Sequence, residues 1–280
     1  MKRKNIYGYI FAAPWIIGFF IFTAYPIFYS LYLSFNKVKI TADSGIITQF
    51  VKFDNYKYAF FTDVSFLNAL VTFFIQLILS VPIIVVFALI ISLLLNSKIK
   101  FKGIFRTIFF LPVVITSGPV INELVSQGAT KIPGMADLVD INSLTKSLPL
   151  IISQPLNYIF SNIISILWFS GIQILIFLSG LQKMDVNAYE AAKIDGATMW
   201  EIFWKITLPS IKPLIVVNII YTVILLSNFE LNPISSIIKA NMFKLETGFG
   251  YAAALAWLYL IFILIILGVY ALFALRGTSD

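Results

Sequence analysis

The sequence predicts an all-α integral membrane protein with six transmembrane helices and a cytoplasmic helix–turn–helix between the fourth and fifth. Three observations carry that expectation. Of 280 residues, 60% are hydrophobic and only 12% charged, with a mean hydropathy of +0.94; soluble domains carry about 25% charged residues. Six apolar stretches are long enough to cross a hydrocarbon core of about 30 Å, which takes roughly 20 helical residues. The formal net charge of +7 falls on alternate connections rather than evenly along the chain.

The spans are expected near 9–35, 66–95, 104–124, 158–181, 214–230 and 251–275. The short alternating segments of a membrane β-barrel are not seen. The first apolar run follows Met1-Lys2-Arg3-Lys4 but is too long for the core of a signal peptide, and no cleavage site follows it. Gly118-Pro119 is expected to break the third span, and Pro233 cuts the fifth short. Lys2, Arg3, Lys4, Lys98, Lys100, Lys102, Arg106, Lys183, Lys193, Lys205, Lys212 and Arg276 all fall on one side of this topology. Those twelve basic residues face five acidic ones, against eight and eight on the other side. The positive-inside rule makes the first side, with both termini, cytoplasmic. The basic run from Lys98 to Arg106 lies directly against two spans, which suits anionic lipid headgroups rather than nucleic acid.

The connection 182–212 is a polar interruption between two apolar segments, so it lies in water. Asn187 precedes Glu190 by three residues and Thr198 precedes Glu201 by three, and each pair fits a capping box. Gly196 suits the left-handed residue that ends one helix before the next begins. Pro209 is expected to close the second helix and Pro213 to occupy the first turn of the following span. A first helix of about two turns is marginal in water by itself, and a partner surface would account for it. Ala191 and Ala192 let such a helix approach a facing backbone closely, while Glu190 and Asp195 suit basic groups. Ile202, Phe203 and Ile206 form an apolar underside. Glu-Ala-Ala-Lys by itself is ordinary helix-forming sequence.

The whole pattern is less ordinary: Glu190-Ala191-Ala192, three residues, Gly196, nine residues, then Ile206-Thr207-Leu208-Pro209. It resembles the EAA loop of bacterial ABC importer permeases. Further stretches are similar to the maltose and glycerol-phosphate type, in particular its larger permease. They are Tyr25-Pro26 with Ser30 and Leu33-Ser34-Phe35; Phe53-Asp54-Asn55-Tyr56; Phe105-Arg106 with Phe109-Phe110-Leu111-Pro112; Phe177-Leu178-Ser179-Gly180-Leu181-Gln182; and Phe249-Gly250-Tyr251-Ala252. The external segment 125–157 departs from the pattern, and a large external insert is missing. The resemblance implies a type I importer permease fold in a bacterial cytoplasmic membrane. It implies a second permease as heterodimer partner, two ABC ATPase subunits and an extracytoplasmic binding lipoprotein that delivers a sugar or oligosaccharide. It also implies that Glu190, Ala191, Ala192, Asp195, Gly196, Ile206, Leu208 and Pro209 couple to the ATPases.

No Gly-x-x-x-x-Gly-Lys phosphate loop occurs, so ATP and Mg are expected on the partners and no cofactor on this chain. The absence of His and Cys, and of an acidic pair within a span, argues against an intramembrane enzyme. An ion-coupled carrier would show charge at mid-membrane and internal repeats, and neither is seen. Intramembrane polar residues mark the expected substrate path: Asn218, Tyr221, Thr222 and Asn228 in the fifth span, Trp168 and Gln173 in the fourth. Asn218, Tyr221 and Thr222 share a face by three-to-four spacing. Hydrogen bonding between neighbouring helices accounts for them equally well.

Overall fold

The computed structural model describes residues 3–41, 45–97, 163–229, 232–244 and 247–276, together with 103–104, 107–108, 123 and 149. Its helices are α1 (Arg3–Phe19) and α2 (Tyr25–Ser34), joined by a π turn (Phe20–Ala24), then α3 (Asp54–Phe61), α4 (Val64–Asn96), α5 (Ile163–Leu181) and α6 (Val186–Ile194). A short α7 (Met199–Ile202) runs through a second π turn (Phe203–Thr207) into α8 (Leu208–Ser227), and α9 (Pro233–Met242) and α10 (Gly248–Arg276) follow. Two strands, β1 (Asn36–Thr41) and β2 (Gly45–Phe50), pair antiparallel with Asn36 opposite Phe50.

Among the described residues, four helices are long and apolar enough to cross a membrane: Gly8–Ser34, Val64–Asn96, Met199–Ser227 and Gly248–Leu272. Ile166–Leu181 passes together with Val186–Ile194, from which it is bent by 68°. These match the expected first, second, fifth, sixth and fourth spans. The third, 104–124, lies outside the described residues except for a few helical positions, as does the break at Gly118-Pro119. Nearly all of segment 125–157 and Glu230 lie outside them too. At 33 residues α4 is about 50 Å long, well beyond a hydrocarbon core.

Two expectations about the chain between spans need correction. Pro209 does not end a helix. Helical backbone continues from Met199 to Ser227 through both Pro209 and Pro213, so the fifth span begins inside the segment read as loop. At Pro209 the reason is the π turn, whereas Pro213 sits within α8 with no such turn just before it. A proline ring collides with the carbonyl four residues before it, and the wider turn Phe203–Thr207 immediately precedes Leu208-Pro209. The same device serves Pro26, which follows the π turn Phe20–Ala24. The β1–β2 hairpin was not among the expected elements, although six residues is an ordinary strand length.

The chain divides into two compact units, Met1–Thr72 with Pro233–Phe262, and Phe73–Asn232 with Ile263–Asp280. In the first, the hairpin is tied to its neighbours by polar side chains. The Asn55 amide donates to the Ser34 and Asn36 carbonyls at 2.8 and 3.1 Å. The Ser34 and Tyr56 hydroxyls share a hydrogen bond of 2.7 Å, and Trp257 Nε1 donates to Ser30 Oγ at 3.2 Å. Gly250 lies so close to β1 that a Cβ there would overlap the Asn36 carbonyl oxygen. Asp63 caps α4 by accepting from the Phe66 amide at 3.1 Å, and it accepts from the Tyr251 hydroxyl at 2.7 Å. Burial opposes its ionisation, but these bonds and one from Ser65 outweigh that, so its carboxyl titrates below the ordinary 3.8.

In the second unit the apolar faces of α5 and α8 pack on each other. Ile166, Phe169, Gln173, Phe177 and Leu181 are buried at helical spacing on α5, as are Ile211, Asn218, Thr222 and Leu226 on α8. Gly180 permits the approach, since a Cβ there would overlap Leu214.

Gly250→Ala is expected to destabilise the detergent-purified protein by about 1–3 kcal/mol through overpacking against backbone, read as a lower thermal midpoint. Gly268→Ala, whose Cβ would meet nothing within 4 Å, is the control and should leave the midpoint unchanged. Asp63 contributes stability that is fully present above its ordinary pKa and is lost as pH falls through its lowered folded value. The gap in thermal midpoint between wild type and Asp63→Asn should therefore be constant near neutral pH and close only in acid.

Candidate functional site

The segment between α5 and α8 is built as a corner. Asp185, not Asn187, caps α6: its carboxylate accepts from the Asn187 amide at 2.9 Å, and the expected Asn187–Glu190 box does not form. The helix starts two residues earlier than the capping-box reading placed it, because a carboxylate preceding Val186-Asn187 fills the same role. The second box does form. Thr198 Oγ1 accepts from the Glu201 amide at 3.3 Å, and Glu201 Oε2 accepts from the Thr198 amide at 2.9 Å.

Between them α6 ends in a Schellman motif, with Ala197 N donating to Ala192 O and Gly196 N to Lys193 O at 2.9 and 3.1 Å. Gly196 has φ +75°, and nothing lies within 4 Å of where its Cβ would be. The backbone angle, not space, demands glycine there. A last bond braces the corner: the Tyr189 hydroxyl on α6 shares a hydrogen bond of 2.9 Å with Thr207 Oγ1 in the π turn. Neither Tyr189 nor Thr207 was singled out from sequence, because the spacing of 18 residues carries no local periodicity.

The outward surface of this corner is chemically specific. Glu190, Ala191, Asp195 and Pro209 are exposed, and Ala192, Ile206 and Leu208 half-buried. Neither the Glu190 nor the Asp195 carboxylate has a hydrogen-bond or ion-pair partner among the described residues. Beside them stand large apolar side chains in the open: Ile194 is 86% exposed, Met199 74% and Trp200 69%. Ile202 faces inward at 2%, as expected for the underside, with Phe203 half-buried. Exposed isoleucine, methionine and tryptophan next to two unpaired carboxylates, all on rigidly capped backbone, form a surface suited to a protein partner.

A second polar feature lies between α5 and α8. Gln173 Nε2 donates to Thr222 Oγ1 at 2.9 Å, and Thr222 in turn donates to Asn218 O at 2.6 Å. All three side chains are fully buried. Gln173 Oε1 and both polar atoms of the Asn218 amide have no partner among the described residues. The expected substrate-path residues therefore divide. Gln173, Asn218 and Thr222 come together, whereas Trp168 and Tyr221 are half-buried and take no part in these bonds. Asn228 is exposed and donates to the Ile224 carbonyl of its own helix. Helix-to-helix bonding accounts for Gln173 and Thr222; it does not account for Asn218.

Residues 59–277 match the family model described as "Binding-protein-dependent transport system inner membrane component". The chain belongs to that family. It is an ABC transporter permease, a multi-pass helical membrane protein. The permease is 30% identical to the probable ABC transporter permease protein YesP of Bacillus subtilis (strain 168), over 94% of this chain and 88% of that one. It is 31% identical to the lactose transport system permease protein LacF of Rhizobium radiobacter, over 80% and 74%. Its fold is that of a solved bacterial ABC transporter involved in importing the acidic polysaccharide alginate, with a TM-score of 0.65, 20% identity, and 98% and 96% coverage. Nothing in the permease's fold or in these relatives favours the ion-coupled carrier.

Replacing Asn218 by Leu removes an amide with no partner among the described residues, so thermal stability should hold or rise by up to about 1 kcal/mol. Thr222→Val leaves Gln173 unpaired as well, and should cost about 1–3 kcal/mol. Thermal unfolding of the two variants in one detergent checks the contrast.

Proposed function

We propose that this permease is one half of the transmembrane gate of an ATP-driven importer in a bacterial cytoplasmic membrane, with both termini inside. A second permease would complete the gate. Two ABC ATPase subunits would bind at the Gly196 corner and hydrolyse ATP with Mg, while this chain binds no cofactor and catalyses nothing. An external binding lipoprotein would deliver the solute. The observation that carries this reading is the corner itself, with unpaired acids and exposed Ile194, Met199 and Trp200 on doubly capped backbone. A monomeric protein has no use for such a surface in water.

The solute is a sugar or oligosaccharide. Support comes from the named substrates of relatives, lactose for one, and from the buried amides of Gln173 and Asn218, whose free donor and acceptors suit hydroxyl groups. The substrate path would run by the α5–α8 contact. Closure of the ATPase pair would push on α6, and the push would pass through the Tyr189–Thr207 bond into α8. Met199–Ser227 spans about 43 Å as one continuous helix, so movement at the corner arrives at Asn218 as rigid-body displacement.

Affinity purification from membranes in mild detergent, followed by mass spectrometry, tests the assembly. An ATPase and a second permease should accompany the wild-type chain. Glu190→Lys and Gly196→Pro should lose the ATPase and reduce uptake more than tenfold while still inserting in the membrane. A wild-type chain that purifies alone, or variants that keep the ATPase, would refute the docking role.

A further inference from the structure

We infer that the first unit carries a saccharide site of its own outside the membrane. This rests on the orientation and the solute class proposed above. A cavity of about 420 Å³ opens where the hairpin, α3 and the start of α10 meet, within the range of about 300–1,000 Å³ typical of small-molecule sites. Its walls are Lys37 on β1, Asp54, Asn55 and Tyr58 on α3, and Thr247 and Tyr251 at the α10 junction. These are the outer ends of the first and last spans, where the chain leaves the apolar layer.

The walls are held rigidly. Tyr251 is buried at 2% exposure with its hydroxyl on Asp63, and it fixes the Tyr58 ring edge-on at 5.1 Å and 88°. The Asn55 amide nitrogen is spent on two carbonyls of the chain entering the hairpin, which leaves its oxygen as an acceptor. Thr247 Oγ1 donates to Asn241, leaving its own lone pairs. The Asp54 carboxylate has only a 4.0 Å exposed pairing with Lys57. Lys37 has no ion-pair partner among the described residues.

The chemistry selects a class of ligand. Asp54, Asn55 and Thr247 offer acceptors, Lys37 offers donors, and Tyr58 offers an exposed ring on which the apolar face of a pyranose can stack. One cation and one anion cancel, so an anionic ligand would meet Asp54 and a cationic ligand Lys37. A neutral polyol meets neither objection, and it brings the hydroxyl donors that three acceptors call for. A neutral mono- or disaccharide unit fits both the volume and the charge. The site would hold sugar on the first unit, on residues distinct from Gln173 and Asn218.

Saturation-transfer NMR on the assembled transporter in nanodiscs, without the external binding protein, tests the site with lactose and arabinotriose as probes. Transfer to at least one saccharide is expected, falling at least threefold in Tyr58→Ala and in Asp54→Asn but persisting in Gly268→Ala, whose added Cβ would meet nothing within 4 Å. Either of the first two variants suffices if the other does not assemble. Transfer that survives both, or that falls as far in Gly268→Ala, would overturn this site and leave the transport reading standing. So would absence of transfer in the wild type, since co-purification judges the assembly separately. If both variants keep saccharide transfer but lose the binding protein, the cavity is a protein anchor and the proposal fails.

Discussion

Every backbone amide and carbonyl in the hydrocarbon layer must find its partner within the protein, and this constraint shapes the whole chain. It explains why helices here bend or widen rather than stop. A proline inside a membrane span removes a donor and crowds a carbonyl, and water is not present to compensate. At Pro26 a five-residue π turn just upstream lets the helix continue, and the same turn precedes Pro209 at the exposed corner. Glycine supplies the opposite service at Gly196, where a left-handed residue is tolerable because the backbone has returned to water.

The same constraint explains what the family-like motifs do. Phe53-Asp54-Asn55-Tyr56 is a fastening: Asn55 grips the Ser34 and Asn36 carbonyls, where helix gives way to strand and the ladder leaves groups unpaired, and Tyr56 reaches Ser34. Phe249-Gly250-Tyr251 presses the start of the last span against that strand and sends a hydroxyl to Asp63. In the other unit, Gly180 of the Phe177–Gln182 stretch lets α8 approach α5. These residues are joints, placed wherever an apolar helix changes direction or meets another.

Much of this was legible in the residues because it is local. The apolar runs mark the helices, Thr198 and Glu201 at a spacing of three mark a cap, and glycine in a polar loop marks a left-handed turn. Most of what escaped is non-local or depends on competition between like groups. Asp185 outcompeted Asn187 for the α6 cap, a choice that sequence spacing cannot rank because both residue types cap well. Pro209 carries a strong stop signal, and the π turn that overrides it has no signature in residue type. Lys37-Val38-Lys39-Ile40-Thr41 does alternate polar and apolar at strand spacing, so β1 had a local signal that the emphasis on long apolar runs passed over. Spacing put Tyr221 on one face with Asn218 and Thr222; the residue hydrogen-bonded to Thr222 across the helix contact is Gln173, reached from another helix.

The continuity of α7, the π turn and α8 has a mechanical meaning that a broken helix would not have. Thr198 and Asn218 are separated by about 30 Å along one helical rod, at a rise of about 1.5 Å per residue. Had Pro209 ended a helix, as local rules suggest, the corner and the polar contact would be joined by a hinge that dissipates displacement. Instead the weakest part of the rod, the π turn, is the part braced from the side by Tyr189. That bond crosses from the helix bearing Glu190 to the helix bearing Asn218. The brace converts two short elements and a long one into a single lever, whose outer end presents acids and tryptophan to solvent. Its inner end holds the Asn218 amide, buried and without a partner among the described residues.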